Sequence, residues 1–454
     1  FKTNQNQHCL MATSKSPIDL LINARWVLPI RPAETMLEHH SVAINQGKIV
    51  AIKPTSEATA QFNADSTIDL GQQLLMPGLI NAHGHSAMTL LRGVADDKPL
   101  HNWLNEDIWP AEAKWVSEEF VRDGTNIAIG EMLLSGTTCF SDQYFFPETI
   151  AEQAQTAGIR AQVGFPILDF PTAWGSGPDD YLSKGLKLFD KYRNSELINI
   201  AFAPHATYTV GDDAFAKIVT MANEIDAAVQ IHLHETAQEV YDALQAEGVR
   251  PIERLKNLGL LSPRLQCVHM TQLNDADIAL LSENRCHVIH CPQSNMKLAS
   301  GSCEVDKLQK NGINVALGTD GAASNNALDM FSELQSAALL GKLVAKDATA
   351  VSAFNALEMA TINGAIALGI DESIGSLEVG KHADMIAVDL SDFRQQPLYN
   401  PISQLVYTNV SQQVTHAWVS GKVLVSGGKL TTLSEAELAT SASNWQQKIS
   451  NHNV

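Results

Sequence analysis

The chain is 454 residues long and 45% hydrophobic, with 28 Gly and 17 Pro, which makes it too long for one small module and too apolar to be disordered. Its 31 Lys and Arg face 50 Asp and Glu, a formal charge of -19, and no run of five basic residues is present, so nucleic acid and anionic membrane are excluded as expected partners. Six Cys without a CxxC pair read as a reduced, cytoplasmic protein, and no stretch of about 18 apolar residues marks a membrane span.

Residues 1–10 are polar and lack the apolar centre of a signal peptide; they are read as a leader outside the fold, with Met11 as the candidate start. Residues 11–75 are expected to form the first part of a small β domain. Between 19 and 68 apolar residues alternate in short pieces, and Gln46-Gly47 is placed as a hairpin turn. From 76 to 375 short apolar runs alternate with helical stretches, the pattern of β/α units around a parallel sheet. Eight runs are counted, at 74–82, 137–141, 160–167, 198–204, 228–233, 265–270, 287–291 and 315–318. Eight such units predict an α/β fold with a closed (β/α)8 TIM-type barrel, whose chemistry sits at the C-terminal ends of its strands. Residues 376–432 return to alternating strands, with Ser420-Gly421 as a second turn, and are expected to complete a β-sandwich with the N-terminal pieces. Residues 433–454 read as a closing helix, introduced by a capping Ser434 with Glu435 and Glu437 behind it.

The strand ends carry the chemistry. The first run ends in His83-Gly84-His85, and a spacing of two puts both imidazoles on one side of an extended chain. The fifth run ends in His232-Leu233-His234-Glu235, the sixth reaches His269, and the eighth leads to Asp320. Imidazoles and carboxylates converging on one barrel mouth form a donor set for zinc or iron; the alternative is a hydrogen-bonded polar network with no ion. His234 alternates to the far side of its strand from His232 and is read as structural.

The string Met76-Pro77-Gly78-Leu79-Ile80-Asn81-Ala82-His83-Gly84-His85, with the later His and Asp, resembles the amidohydrolase superfamily. More closely, residues 85–97 (HSAMTLLRGVADD), Trp103-Leu104, Ile108-Trp109-Pro110-Ala111-Glu112 and residues 318–326 (GTDGAASNN) are similar to the 5-methylthioadenosine/S-adenosylhomocysteine deaminases, on the branch that includes triazine hydrolases. The resemblance implies His83, His85, His232 and Asp320 as ligands of one divalent metal, Zn2+ or alternatively Fe2+. Many relatives hold a second ion on a carboxylated Lys after the fourth strand; here no Lys lies between Lys191 and Lys217, so one metal is expected. It also implies that Asp320 takes the proton of the attacking water, that Glu235 protonates purine N1 and serves the leaving amine, and that His269 orients the attacking hydroxide.

In the same resemblance Trp103 packs on the nucleoside and Glu112 accepts from both ribose hydroxyls. Without the resemblance, Trp103 reads as a helix residue facing the core and Glu112 as solvated surface. His205, ending the fourth run, matches a purine contact or is a structural His; His290, ending the seventh, is read as structural. S-adenosylhomocysteine ends in a carboxylate that an Arg fork would bind, whereas methylthioadenosine ends in a neutral thioether. The loop after the third run, from Asp169 to Gly177, contains no Arg, and Arg160 is carried as the nearest candidate for that role. Methylthioadenosine is therefore the expected substrate, with S-adenosylhomocysteine and adenosine as further ones and a homo-oligomer as the expected assembly. The alternatives are a hydrolase of another amino- or chloro-heteroaromatic, such as a triazine or guanine, and a non-catalytic barrel used for assembly.

Overall fold

The computed structural model describes residues 15–451, so the leader 1–10 and the last three residues lie outside the described part. Eight parallel strands form the barrel: β1 (Leu79–Gly84), β2 (Thr137–Gln143), β3 (Arg160–Ile167), β4 (Ile198–Pro204), β5 (Val229–Leu233), β6 (Leu265–His269), β7 (His287–His290) and β8 (Val315–Leu317). Each pairs with the next in order. Their apolar character follows from position: helices cover the outside and side chains fill the inside, so almost every strand residue is buried.

The barrel closes between β1 and the residues just after β8. Asp320 N–H donates to His83 O at 3.0 Å. The Asn81 amide receives Thr319 N–H at 2.9 Å and donates to Thr319 Oγ1 at 2.7 Å. Gly318 permits this approach, because a Cβ there would stand 2.8 Å from His83 N and 2.9 Å from His83 Cβ.

The run 74–82 is two strands rather than one. Gln73–Pro77 belongs to the small sheet, where it pairs with Met385–Asp389, and β1 begins only at Leu79. The small β domain expected from both chain ends is present as one continuous nine-stranded mixed sheet. Leu20, Ile22, Val42 and Ile44 from the N-terminal strands share its core with Met385, Ala387 and Trp418 from the C-terminal ones. Both expected turns are present, with positive φ at Gln46 (51°), Gly47 (74°), Ser420 (47°) and Gly421 (73°), the conformation that suits a two-residue hairpin loop.

The closing helix Glu435–Ser450 is capped by Ser434. It lies on Glu118–Leu134, where Trp445 Nε1 donates to Asp123 Oδ2 at 2.9 Å and its ring meets Phe120 edge-on at 5.2 Å. No helix among the described residues is long and apolar enough to cross a membrane.

Candidate active site

The C-terminal ends of the strands open into a cavity of about 310 Å3. At its floor the donor atoms of His83, His85, His232 and Asp320 all lie within 4.8 Å of one another. His83 Nε2 is 3.2 Å from His232 Nε2 and 3.5 Å from Asp320 Oδ1, which is also 3.2 Å from His85 Nε2. Asp320 turns into this cluster through a left-handed backbone, φ 62°, a conformation uncommon outside glycine. Its other oxygen, Oδ2, accepts from Ser294 Oγ at 2.6 Å and Ser324 Oγ at 3.0 Å.

The far nitrogen of each imidazole faces a carbonyl oxygen: Gln230 Oε1 for His83 at 2.7 Å, Gln143 O for His85 at 2.6 Å and His205 O for His232 at 2.8 Å. With Nδ1 donating, all three Nε2 lone pairs point into one space, as a tetrahedral divalent ion requires. Burial holds His83 and His232 below the usual imidazole range, keeping them neutral. The donor set therefore fits one zinc ion.

Beside the cluster stands Glu235, buried, with Ser300 Oγ donating to Oε1 at 3.3 Å and His269 Nε2 3.7 Å from Oε2. Burial, reinforced by the nearby Asp320 charge, pushes the Glu235 carboxyl up to about 8. His269 is itself aimed by Asn295, whose Oδ1 is 2.9 Å from its Nδ1, and by a left-handed backbone at φ 77°.

Farther out, Trp103 is buried and lines the cavity, its indole N–H donating to Ala95 O at 3.1 Å. Glu112 also lines it and accepts from Tyr144 OH at 2.7 Å. Burial raises the Glu112 carboxyl to about 7 against the opposing pull of that bond. His205 lines the wall, with Nδ1 3.0 Å from Thr209 Oγ1, and burial lowers its imidazole to about 4, leaving it neutral. His234 turns away from the mouth, facing Gln272 O at 2.9 Å and accepting from Ile252 N–H at 3.1 Å. His290 is buried at the end of β7 outside the cavity lining.

Arg160, expected as a carboxylate-binding residue, does not reach the cavity. It opens β3, at the end of the barrel opposite the cavity, and is locked against Asp384 of the small sheet at 2.8 Å, with side-chain exposures of 6% and 2%. A strand's first residue faces away from the catalytic mouth of such a barrel, so Arg160 binds the two sheets together and not a substrate.

Residues absent from the sequence reading complete the site. Tyr144 follows β2 and holds Glu112, Tyr208 follows β4 and forms part of the wall, and Gln230 supports His83. Gln230 was detectable, since it precedes His232 by two and shares its inward face. Tyr144 and Tyr208 had only their place after strand ends to mark them.

The chain belongs to the amidohydrolase family, which it matches over residues 74–424. It is 57% identical over 437 residues, covering 96% of this chain and 98% of the relative, to a 5-methylthioadenosine/S-adenosylhomocysteine deaminase from Saccharophagus degradans. A protein of the same name from Teredinibacter turnerae is 55% identical, with coverage of 96% and 99%. The crystal structure of an adenosine deaminase from Xanthomonas campestris with bound zinc superposes with a TM-score of 0.95 at 49% identity, covering 96% of this chain and all of that one. Atrazine chlorohydrolase from Arthrobacter aurescens, at 23% identity and TM-score 0.88 over 94% of this chain and 99% of its own, shares the fold.

Proposed function

We propose that this chain is a zinc-dependent aminohydrolase that removes the C6 amino group of 5′-methylthioadenosine, giving methylthioinosine and ammonia. The observation that carries the reading is one cavity lined by the metal donor cluster's His85, His232 and Asp320, by the buried Glu235 carboxyl beside it and by the Glu112 carboxyl. The named relatives at 55–57% identity agree with it.

Zinc, when bound by His83, His85, His232 and Asp320, supplies the Lewis acidity that makes hydroxide available at neutral pH. Asp320 takes the proton of the attacking water while its Oδ2 stays anchored by two serines. As oxygen adds at C6, Glu235 gives its proton to N1, so the ring charge is neutralised as it develops. Glu235, now ionised, takes the proton of the C6 hydroxyl as the C6 carbonyl forms, the proton held by Asp320 passes to the amino nitrogen, which leaves as ammonia, and His269, held by Asn295, orients the attacking oxygen. Glu112 accepts from the two ribose hydroxyls, Trp103 packs on the nucleoside and His205 contacts the purine.

The outer wall favours the thioether over an amino acid tail. Leu104, Ile108, Trp109, Phe145, Leu168 and Leu298 line the cavity, and no Lys or Arg does so among the described residues. A neutral methylthio group gains from that surface, while a buried carboxylate would be left without a counter-charge. S-adenosylhomocysteine and adenosine are therefore the weaker substrates. A cytoplasmic homo-oligomer completes the reading, in line with the sequence's composition and family likeness.

The test is adenine absorbance and ammonia release for methylthioadenosine, S-adenosylhomocysteine and adenosine side by side, with zinc-loaded protein and Glu235→Gln as control. Turnover greatest for the first and abolished in the control is the expected result. No turnover of any of the three by zinc-loaded protein overturns the reading.

A further inference from the structure

The barrel interior below the metal donors holds an amide ladder. Gln230 Nε2 donates to Ala82 O at 3.0 Å and to Gln266 Oε1 at 2.7 Å. Gln162 Nε2 donates to the same Gln266 oxygen at 2.8 Å and to Ser141 Oγ at 3.0 Å. Gln266 Nε2 returns a bond to Gln162 Oε1 at 3.1 Å and donates to Ala367 O at 2.8 Å. All three amides are buried, with exposures of 3% or less.

Two backbone carbonyls fix the direction of the whole ladder. A carbonyl oxygen can only accept, so the Gln230 atom facing Ala82 O must be nitrogen, and the Gln266 atom facing Ala367 O must be nitrogen too. Gln230 is left with its oxygen toward His83 Nδ1, at 2.7 Å. An oxygen without a proton requires a donor opposite, so His83 carries its hydrogen on Nδ1 and presents the Nε2 lone pair to His232 and Asp320. His85 and His232 are oriented by backbone carbonyls. His83 alone of the three depends on a side chain.

We infer that Gln230, held in one sense by the Gln162–Gln266 ladder, is the positioning residue that sets the tautomer of His83 and with it the metal affinity of the site. All three imidazoles donate to neutral oxygens and none to a carboxylate. Gln230 Oε1 is the one acceptor of the three that a single substitution can remove.

The test measures zinc affinity by chelator competition, independently of substrate, together with the visible spectrum of the cobalt-substituted protein. Gln230→Met removes the acceptor and is expected to weaken zinc about 10- to 100-fold and to alter the cobalt spectrum. Gln230→Glu, held neutral in this buried position so that its hydroxyl takes the place of the amide N–H toward Ala82 O, keeps an acceptor oxygen toward His83 and is expected to bind zinc within about threefold of the parent protein. Thermal melting of the apo forms checks that each variant folds. A Gln230→Met protein that binds zinc within twofold of the parent with the same cobalt spectrum overturns the inference. Should Gln230→Met not fold, Gln230→Glu decides: affinity retained supports the assignment, and a tenfold loss refutes it. Because no nucleoside enters the measurement, failure here is distinct from failure of the proposed reaction.

Discussion

His83 Nε2 and His232 Nε2 stand 3.2 Å apart, each with its other nitrogen committed to a carbonyl oxygen. Two lone pairs facing each other in a buried space repel, and a cation between them turns that repulsion into binding. Stripping the metal should therefore cost stability as well as activity. With free zinc at 100 times its dissociation constant, linkage gives about 2.7 kcal/mol of stabilisation. The check is a chelator-treated sample melting below the zinc-loaded one, with the loss reversed on adding zinc; equal melting would show that the ion is not held here.

Glu235→Gln keeps shape and removes the transferable proton. Deleting a general acid costs about 10²- to 10⁴-fold in rate, and the expected fall is in kcat with little change in KM. Zinc content should stay at one per chain, because Glu235 lies outside the donor cluster. A variant that loses metal along with activity would make Glu235 structural.

Glu112 must be ionised to accept from two hydroxyls, and burial has raised its carboxyl to about 7. The carboxylate is thus lost as pH falls through about 7, well above the usual range of about 4.3. KM for methylthioadenosine should rise as pH drops from 8 to 6, and Glu112→Gln should raise KM about tenfold, ~1.4 kcal/mol, and flatten that dependence. An analogue lacking the ribose hydroxyls should show no such slope.

Arg160 and Asp384 form an ion pair buried between barrel and sheet. Removing one partner leaves the other charge stranded, at a cost of about 3–5 kcal/mol. Arg160→Ala should lower the melting temperature clearly while the ratio of activities on S-adenosylhomocysteine and methylthioadenosine stays as it was. A selective loss of the former would restore Arg160 to substrate binding.

The loop after β3 offers a place to install the missing charge. Ala173 lines the cavity mouth, and Ala173→Arg would set a guanidinium where an amino acid carboxylate could meet it. About a tenfold gain in kcat/KM for S-adenosylhomocysteine relative to methylthioadenosine is expected, measured on the same preparation. No change in the ratio would mean the tail leaves the cavity elsewhere.

Much of this site was legible because barrel chemistry is written where strands end. His83, His85, His232, Glu235, His269 and Asp320 each interrupt an apolar run, and a parallel barrel gathers such interruptions at one mouth. Arg160 was misplaced although its own run argued against it, since it begins the strand that Ile167 ends. The junction inside 74–82 was hidden for a different reason. Pro77-Gly78 lies between two buried strands, and no polar residue marks where one sheet gives way to the other. Tyr144 acts through Glu112 across 32 residues of chain, a contact that leaves no local pattern, whereas Gln230 shares the inward face of β5 with His232 and only its partner, 147 residues away, was hidden.

The seam between β1 and β8 also sets an order of events during synthesis. His83 and Asp320 are joined there by a backbone hydrogen bond and belong to one donor cluster, yet they emerge from the ribosome at opposite ends of the barrel sequence. A nascent chain carries three of the four donors long before the fourth, and its first strand has no closing partner until the last one arrives. The four-donor set is in this way complete only once the barrel's last strand has been made, and a chain cut short before Asp320 is left with an open edge and an unfinished ligand set.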